Sequence, residues 1–257
     1  MRNTYVPIYT LVKKETLRFC RLWLQTLLPS VITSNIYLYV IGHLLGFHIG
    51  KINNIYYIDY IIPGLVMMAV INNSYHNASF SFFNARFQKS IEELLTAPMS
   101  ITTIILGYAI GSTIRGAAVG FLVLVSFLYI ETVQIFSLFL TFISIVLCST
   151  LFSLLGITNA LIAKTYDGIT VIPSYILAPL LYLGGVFYPV ELISDKIGSI
   201  LLCNPIIYIL NIFRSAILGN VSSDFFMIII TIICMIIFIF FYNVYIFSKK
   251  ENISLIC

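Results

Sequence analysis

The stretch FFMIIITIICMIIFIFFYNVYIF, residues 225–247, carries no charge over a length sufficient to cross a bilayer, since about 20 apolar residues in a helix span the hydrocarbon core. Runs of the same kind recur along the chain and leave little room for charge. Of 257 residues, 60% are hydrophobic and 9% charged, with a mean hydropathy of +1.02, whereas an ordinary soluble domain carries about 25% charge. No soluble core hides that much apolar surface, and the runs are long and continuous, unlike the short alternating strands of a barrel. The sequence predicts an all-α polytopic membrane protein forming one membrane domain over residues 1–257. Its six transmembrane helices are expected near 24–45, 58–80, 103–130, 134–163, 169–190 and 225–247.

Charge sets the expected orientation. With the N and C termini both cytoplasmic, the inner side receives Arg2, Lys13, Lys14, Arg18, Arg21, Arg86, Lys89, Lys164, Lys249 and Lys250, and the outer side only Lys51, Lys196 and Arg214. That asymmetry is what the positive-inside rule demands. It also accounts for the net charge of +4 without a nucleic-acid-binding patch. The first apolar run follows KKETLRFCR and lacks a small-x-small cleavage site, so it reads as a membrane helix and not as a cleaved signal. Between Glu191 and Asp224 the chain reads IGSILLCNPIIYILNIFRSAIL, too apolar for a loop in water but broken at Asn204-Pro205 and by Arg214. Proline removes a backbone donor and disfavours helix just before it. Short re-entrant helices, surrounded by protein that satisfies their backbone, account for the pattern. A seventh span is the competing count, and it would strand Lys249 and Lys250 outside.

The one long polar break in the first half is FNARFQKSIEELLTAPMS, Phe83 to Ser100. Phe87, Ile91, Leu94 and Leu95 fall on one stripe at helical spacing, with Arg86, Lys89, Glu92 and Glu93 on the other surface. The pattern predicts one amphipathic helix over 84–98, capped by Ser81 or Asn84, supported by a Lys89–Glu93 pair and stopped at Pro98. Such a helix either anchors a loop at the interface or offers its stripe to a partner's groove. Patterning does not choose between these.

Catalytic signatures do not appear. HIGKI, around Gly50-Lys51, lacks both the earlier glycine and the following Ser or Thr of a nucleotide-binding loop. There is no HExxH and no recognisable triad spacing. The five cysteines, Cys20, Cys148, Cys203, Cys234 and Cys257, form no CxxC pair. Neither a metal site nor a cofactor is expected, and the chain is not read as an enzyme. Active transport would then draw on an ion gradient or on another chain. Arg115, within GYAIGSTIRGAAVG, is the clear intramembrane charge. Its insertion costs about 2.5–3.5 kcal/mol, and arginine is a poor proton carrier. Packing, pairing or an anionic substrate is its favoured role, with snorkelling on a tilted helix as the bland one. His43 and His76 read as structural. The GxxxG pairs Gly107/Gly111, Gly116/Gly120 and Gly42/Gly46 suggest close helix contact, in the third span with a neighbour or a second subunit. Asn72, Asn73, Asn77 and Asn84 make the second span's end polar, either as a pathway lining or as the wet end of a helix.

Three stretches carry a resemblance that covers nearly the whole chain: IPGLVMMAVINNSYHNASFSFFNARFQKSIEELLTAPMS (Ile62 to Ser100), ILAPLLYLGGVFYPVELI (Ile176 to Ile193) and NPIIYILNIFR (Asn204 to Arg214). The sequence resembles type 2 ABC transporter permeases, the integral-membrane subunits of bacterial ABC exporters. The resemblance implies a permease in the bacterial inner membrane, acting as a dimer, usually a homodimer, with ATP hydrolysed by separate ATP-binding ABC subunits. Arg86, Glu92, Glu93, Leu94 and Pro98 would belong to the region that couples to those subunits. Asn204, Pro205 and Arg214 would lie in re-entrant helices within 191–224, and an amphipathic segment near 9–23 would lie along the inner surface. An ion-driven secondary transporter and a non-transporting membrane scaffold are the alternative functions.

Overall fold

A computed structural model describes residues 5–52, 55–96, 99–131, 133, 135–188, 204–219 and 225–254. Among these the chain is helical apart from a small antiparallel ribbon, β1 (Lys51–Ile52) and β2 (Ile55–Tyr56). The helices are α1 (Tyr5–Arg21), α2 (Trp23–Ile49), α3 (Tyr57–Phe87), α4 (Ser90–Thr96), α5 (Ile101–Ile130), α6 (Leu138–Ile162), α7 (Tyr166–Leu183), α8 (Pro205–Leu218) and α9 (Phe225–Ser254). Two of them widen into π-helix, α2 over Leu38–Leu45 and α7 from Pro173 to Leu177. In α7 the widening begins at a proline, which cannot donate to the helical ladder. Ser100, Ser137, Thr165 and Asn204 accept a backbone N–H at the starts of α5, α6, α7 and α8, each covering one of the donors a helix start leaves open.

Among the described residues five helices, α2, α5, α6, α7 and α9, are long and apolar enough to cross a bilayer. The longest, α3 at 31 residues, contains the expected span 58–80 but is more polar, because it is the centre of the bundle. It packs against α5 and α6, with α2 and α8 also in contact. Several of its polar side chains point inward and find partners within the bundle. The Ser74 and Ser79 hydroxyls donate to the carbonyls of Val70 (2.8 Å) and Tyr75 (3.0 Å). Asn73 Nδ2 donates to Ser30 Oγ of α2 and to the Ala69 carbonyl, both at 2.9 Å. The asparagines at 73 and 77 are therefore buried internal ties and not a wet helix end.

Small residues let these helices approach. A Cβ on Gly156 of α6 would lie 2.5 Å from the Tyr75 carbonyl oxygen of α3. The GxxxG pairs of α5 are filled by this chain's own helices. Gly107 and Gly111 receive Leu11 and Glu15 of α1, and Gly116 and Gly120 receive Ser74 and Val70 of α3. Gly42 and Gly46 of α2 meet Ile61 and Tyr57 of α3. The N-terminal amphipathic segment spans Tyr5–Arg21, earlier than the expected 9–23, and buries Leu11, Glu15 and Phe19.

The last two helices differ in character. α8 has 14 residues, about 21 Å of helix against about 30 Å of hydrocarbon. Asn204-Pro205 is its start: Asn204 accepts from Ile206 N (3.0 Å) and donates to the Leu180 carbonyl (2.7 Å), with Pro205 at the first helical position. Its far end closes on Gly219 at φ +81°, and the N–H groups of Phe136 and Ser137 donate to the carbonyls of Ile217 (3.0 Å) and Ala216 (3.1 Å). Residues 191–203 and 220–224 of the expected re-entrant region lie outside the described residues. By contrast α9 is largely exposed, with Phe226, Phe238 and Phe241 outward. Its polar tie is Asn243, fully buried, which donates to the Leu154 carbonyl (3.0 Å) and accepts from Thr158 (2.8 Å).

Replacing Gly156 by valine should wedge α3 from α6. Overpacking of this kind costs about 1–3 kcal/mol, so thermal unfolding of the detergent-solubilised protein should fall by several degrees. An unchanged midpoint would mean that the seam is looser than described.

Candidate functional site

Two sites stand out at one end of α3. The first is an elbow. The expected single helix over 84–98 is two helices, because the chain turns at Gln88 and Lys89. Lys89 has φ +59°, a left-handed conformation that ends α3 after Phe87. Ser90 Oγ then donates to the Ala85 carbonyl (3.0 Å), and α4 begins. Lys89, now in the turn, makes no ion pair with Glu93 among the described residues. Nor do Ser81 and Asn84 cap a helix; they are interior to α3 and bond to other elements. In α4, Ile91 is buried and Leu94 half-buried, while Glu92 and Glu93 are exposed. Pro98 lies outside the described residues.

Three side chains lock the elbow to its neighbours. The Arg86 guanidinium donates from Nη1 to the carbonyls of Ala160 (2.7 Å) and Leu161 (2.9 Å), and from Nη2 to that of Ala163 (3.1 Å). These carbonyls lie at the C-terminal end of α6, where unsatisfied acceptors and the helix dipole favour a cation. Asn84 accepts from the Tyr166 hydroxyl at 2.8 Å. Phe87, expected on an open apolar stripe, meets the Tyr166 ring edge-on at 4.9 Å. The end of α3 is thus bolted to the α6–α7 junction. Of the residues expected at the coupling region, the structure turns Glu92 and Glu93 outward and Arg86 inward.

The second site is a polar cluster beside α1. Glu15, at 2% exposure, pairs with Arg18 at 2.8 Å and accepts from Ser81 Oγ at 2.8 Å. Arg18 also donates to Ser81 Oγ (2.6 Å) and to Asn77 Oδ1 (2.9 Å). Arg115 Nη1 reaches the same Asn77 oxygen at 2.9 Å, and Asn77 Nδ2 donates to Ser112 Oγ at 3.0 Å. Arg115 is therefore held by hydrogen bonding inside the bundle. Its Nε is buried with no hydrogen-bond partner among the described residues. A cleft of about 320 Å³ opens here, lined by Arg18, Phe19, Leu22, His76, Phe80 and Arg115 among others. His76 stacks on Phe80 with centroids 6.0 Å apart. Sequence reading assigned Arg18 only to the positive inner side and passed over Glu15; the signal for both was the Leu11–Glu15–Phe19 spacing, which puts a carboxylate on an apolar face.

Arg214, expected in an outer segment, lies between elements. Its Nη2 donates to the Gly185 carbonyl (2.6 Å), and its guanidinium sits 3.9 Å from the Tyr60 ring centroid. Asn204, Pro205 and Arg214 thus fix the start and the flank of α8 against α7 and α3. They are well separated in the fold from the elbow.

Residues 7–218 match the ABC-2 type transporter family. The chain belongs to that family. This ABC-2 type protein is 42% identical to the inner membrane transport permease YadH of Escherichia coli (strain K12) over 85% of its own length and 86% of the relative's. It is 26% identical to nodulation protein J of Neorhizobium galegae, covering 77% of this chain and 76% of the relative. The corresponding protein of Rhizobium meliloti (strain 1021) is 23% identical over 81% and 80%. The matched region runs from α1 through α8 and includes both the elbow and the arginine cleft.

Replacing Arg86 by glutamine leaves three acceptors at the end of α6 without their charged partner. The loss should cost about 1–3 kcal/mol and appear as faster amide hydrogen exchange around residues 158–170. Lysine at 86 should be intermediate, since it keeps the charge but not the fork. Unchanged exchange in both variants would show that the cap does not hold this junction.

Proposed function

We propose that this chain is the membrane-spanning permease subunit of an ATP-driven exporter in the bacterial inner membrane, with ATP hydrolysed by a separate ABC subunit. Membership of the ABC-2 type transporter family supports this reading, as does the 42% identity to the inner membrane transport permease YadH of Escherichia coli. The permease is a homodimer that crosses the membrane six times, with both termini in the cytoplasm. The sixth crossing is α3, whose 31 residues give about 46 Å of helix. An even count keeps Lys13, Lys14, Lys249 and Lys250 on one side with the elbow, as the basic-residue distribution favours. In this arrangement α8 is too short to cross and forms part of a re-entrant region on the outer side.

The elbow carries the mechanism. α4 presents Glu92 and Glu93 outward while Ile91 seats it against the bundle. A basic groove on the ATP-binding subunit receives these carboxylates, and Pro98 lies in the same coupling region. When two such subunits close on ATP, the displacement of α4 passes through Lys89 into the end of α3. Arg86 and Tyr166 carry it onward to α6 and α7. The rigidity of that junction converts a rocking α4 into a shift of whole helices.

The test is the double charge reversal E92K/E93K. The variant should insert normally but lose copurification with the ATP-binding subunit in mild detergent. Retained association would leave α4 as a mere interfacial anchor. A cysteine placed at Glu93 should also react with an impermeant thiol reagent only from the cytoplasmic side, and labelling from outside would end the orientation.

A further inference from the structure

The cleft beside α1 has a charge that the coupling mechanism does not use. Glu15 is the one carboxylate in the cluster, and it is taken up by Arg18 and Ser81. Arg115 has no carboxylate within ion-pair distance among the described residues. Its neutral contact is Asn77 Oδ1, which it shares with Arg18. Two guanidinium groups against one carboxylate leave a positive charge facing the cleft, and a buried charge is costly without a counter-ion.

The walls say what kind of anion fits. Arg18, Arg115, Asn77 and Ser81, with Thr26, His76 and Asn84, supply its polar lining, while Phe19, Leu22 and Phe80 supply the apolar part. Leu22, at the junction of α1 and α2, is 47% exposed and forms the rim. The volume, about 320 Å³, lies at the low end of the roughly 300–1,000 Å³ of small-molecule pockets. α1 is an amphipathic helix with Lys13, Lys14 and Arg21 exposed, the composition of a helix lying at the level of anionic headgroups. A ligand with a phosphate at one end and hydrocarbon at the other satisfies the polar lining, the apolar part and the position together.

We propose that this cleft holds an anionic phospholipid of the bilayer, its headgroup phosphate on Arg115 and Arg18 and its glycerol and first methylenes against Phe19, Leu22 and Phe80. A zwitterionic lipid would bring its ammonium to a cleft that is already cationic, so anionic lipid is preferred. The site is independent of the ATP-binding partner. Bound lipid joins α1 to α3 and α5, the same helices whose small-residue seams it flanks.

Native mass spectrometry of the full-length detergent-solubilised protein, titrated with phosphatidylglycerol or phosphatidylcholine, tests this. The wild type should retain phosphatidylglycerol at least tenfold better than phosphatidylcholine. R115Q should abolish that preference, and R115K should recover part of it. L22W, which fills the cleft from its exposed rim and leaves every charge in place, should lower phosphatidylglycerol retention as well; it decides the matter should R115Q not fold. Equal retention of the two lipids by the wild type, or unchanged phosphatidylglycerol retention in L22W, overturns the proposal. Millimolar inorganic phosphate should not displace the lipid; displacement would assign the cleft to a soluble anion instead.

Discussion

A buried hydroxyl or amide inside a bilayer has no water to turn to, and α3 concentrates such groups at the middle of the bundle. The cost of an unmet polar group there is several kcal/mol, and most of those on α3 find partners within the bundle. Ser74 and Ser79 of α3 bond back to their own helix, Asn73 reaches α2, and Asn77 joins α1 and α5 through Arg18, Ser112 and Arg115. The small residues of α5 and α6 then let backbones close on this polar helix. Removing the polarity from α3 would make it more apolar but would also unfasten its neighbours.

The same logic explains what was legible in the sequence. The lipid-facing helices announce themselves by unbroken apolar runs, and α5, α6 and α9 lie where those runs predict, within a few residues. The segment Asn204-Pro205 signalled a break, and it is a capped helix start. Less legible was the centre. Hydropathy leaves Asn72, Asn73 and Asn77 as either a pathway lining or a helix end in water, because a one-dimensional average cannot see that two of them find partners on other helices. Spacing likewise predicts one amphipathic helix from Asn84 to Pro98, since a 3.6-residue period continues in register across Lys89. Only the backbone conformation at Lys89, unusual for a residue with a Cβ, breaks it.

The candidate sites divide in a similar way. Glu92 and Glu93 were readable because exposed charge in an apolar chain is conspicuous. Arg86 was placed on the same surface, whereas its side chain turns inward to acceptors that exist only once α6 has ended nearby. Glu15 and Arg18 escaped notice because a pair three residues apart in a basic segment looks like ordinary surface charge. What distinguishes them is contact with Asn77 and Ser81, more than fifty positions away in the chain. For intramembrane polar residues, the informative quantity is the partner, and partners are non-local.

The attachment of α9 has a mechanical corollary. This rod turns most of its aromatic surface outward and is tied to α6 by the Asn243 amide and by apolar packing that includes Ile236, Ile239 and Phe247. A membrane that thickens or thins by a few ångströms exerts its load on exposed hydrophobic length, so the strain arrives at α9 before it reaches the shielded interior.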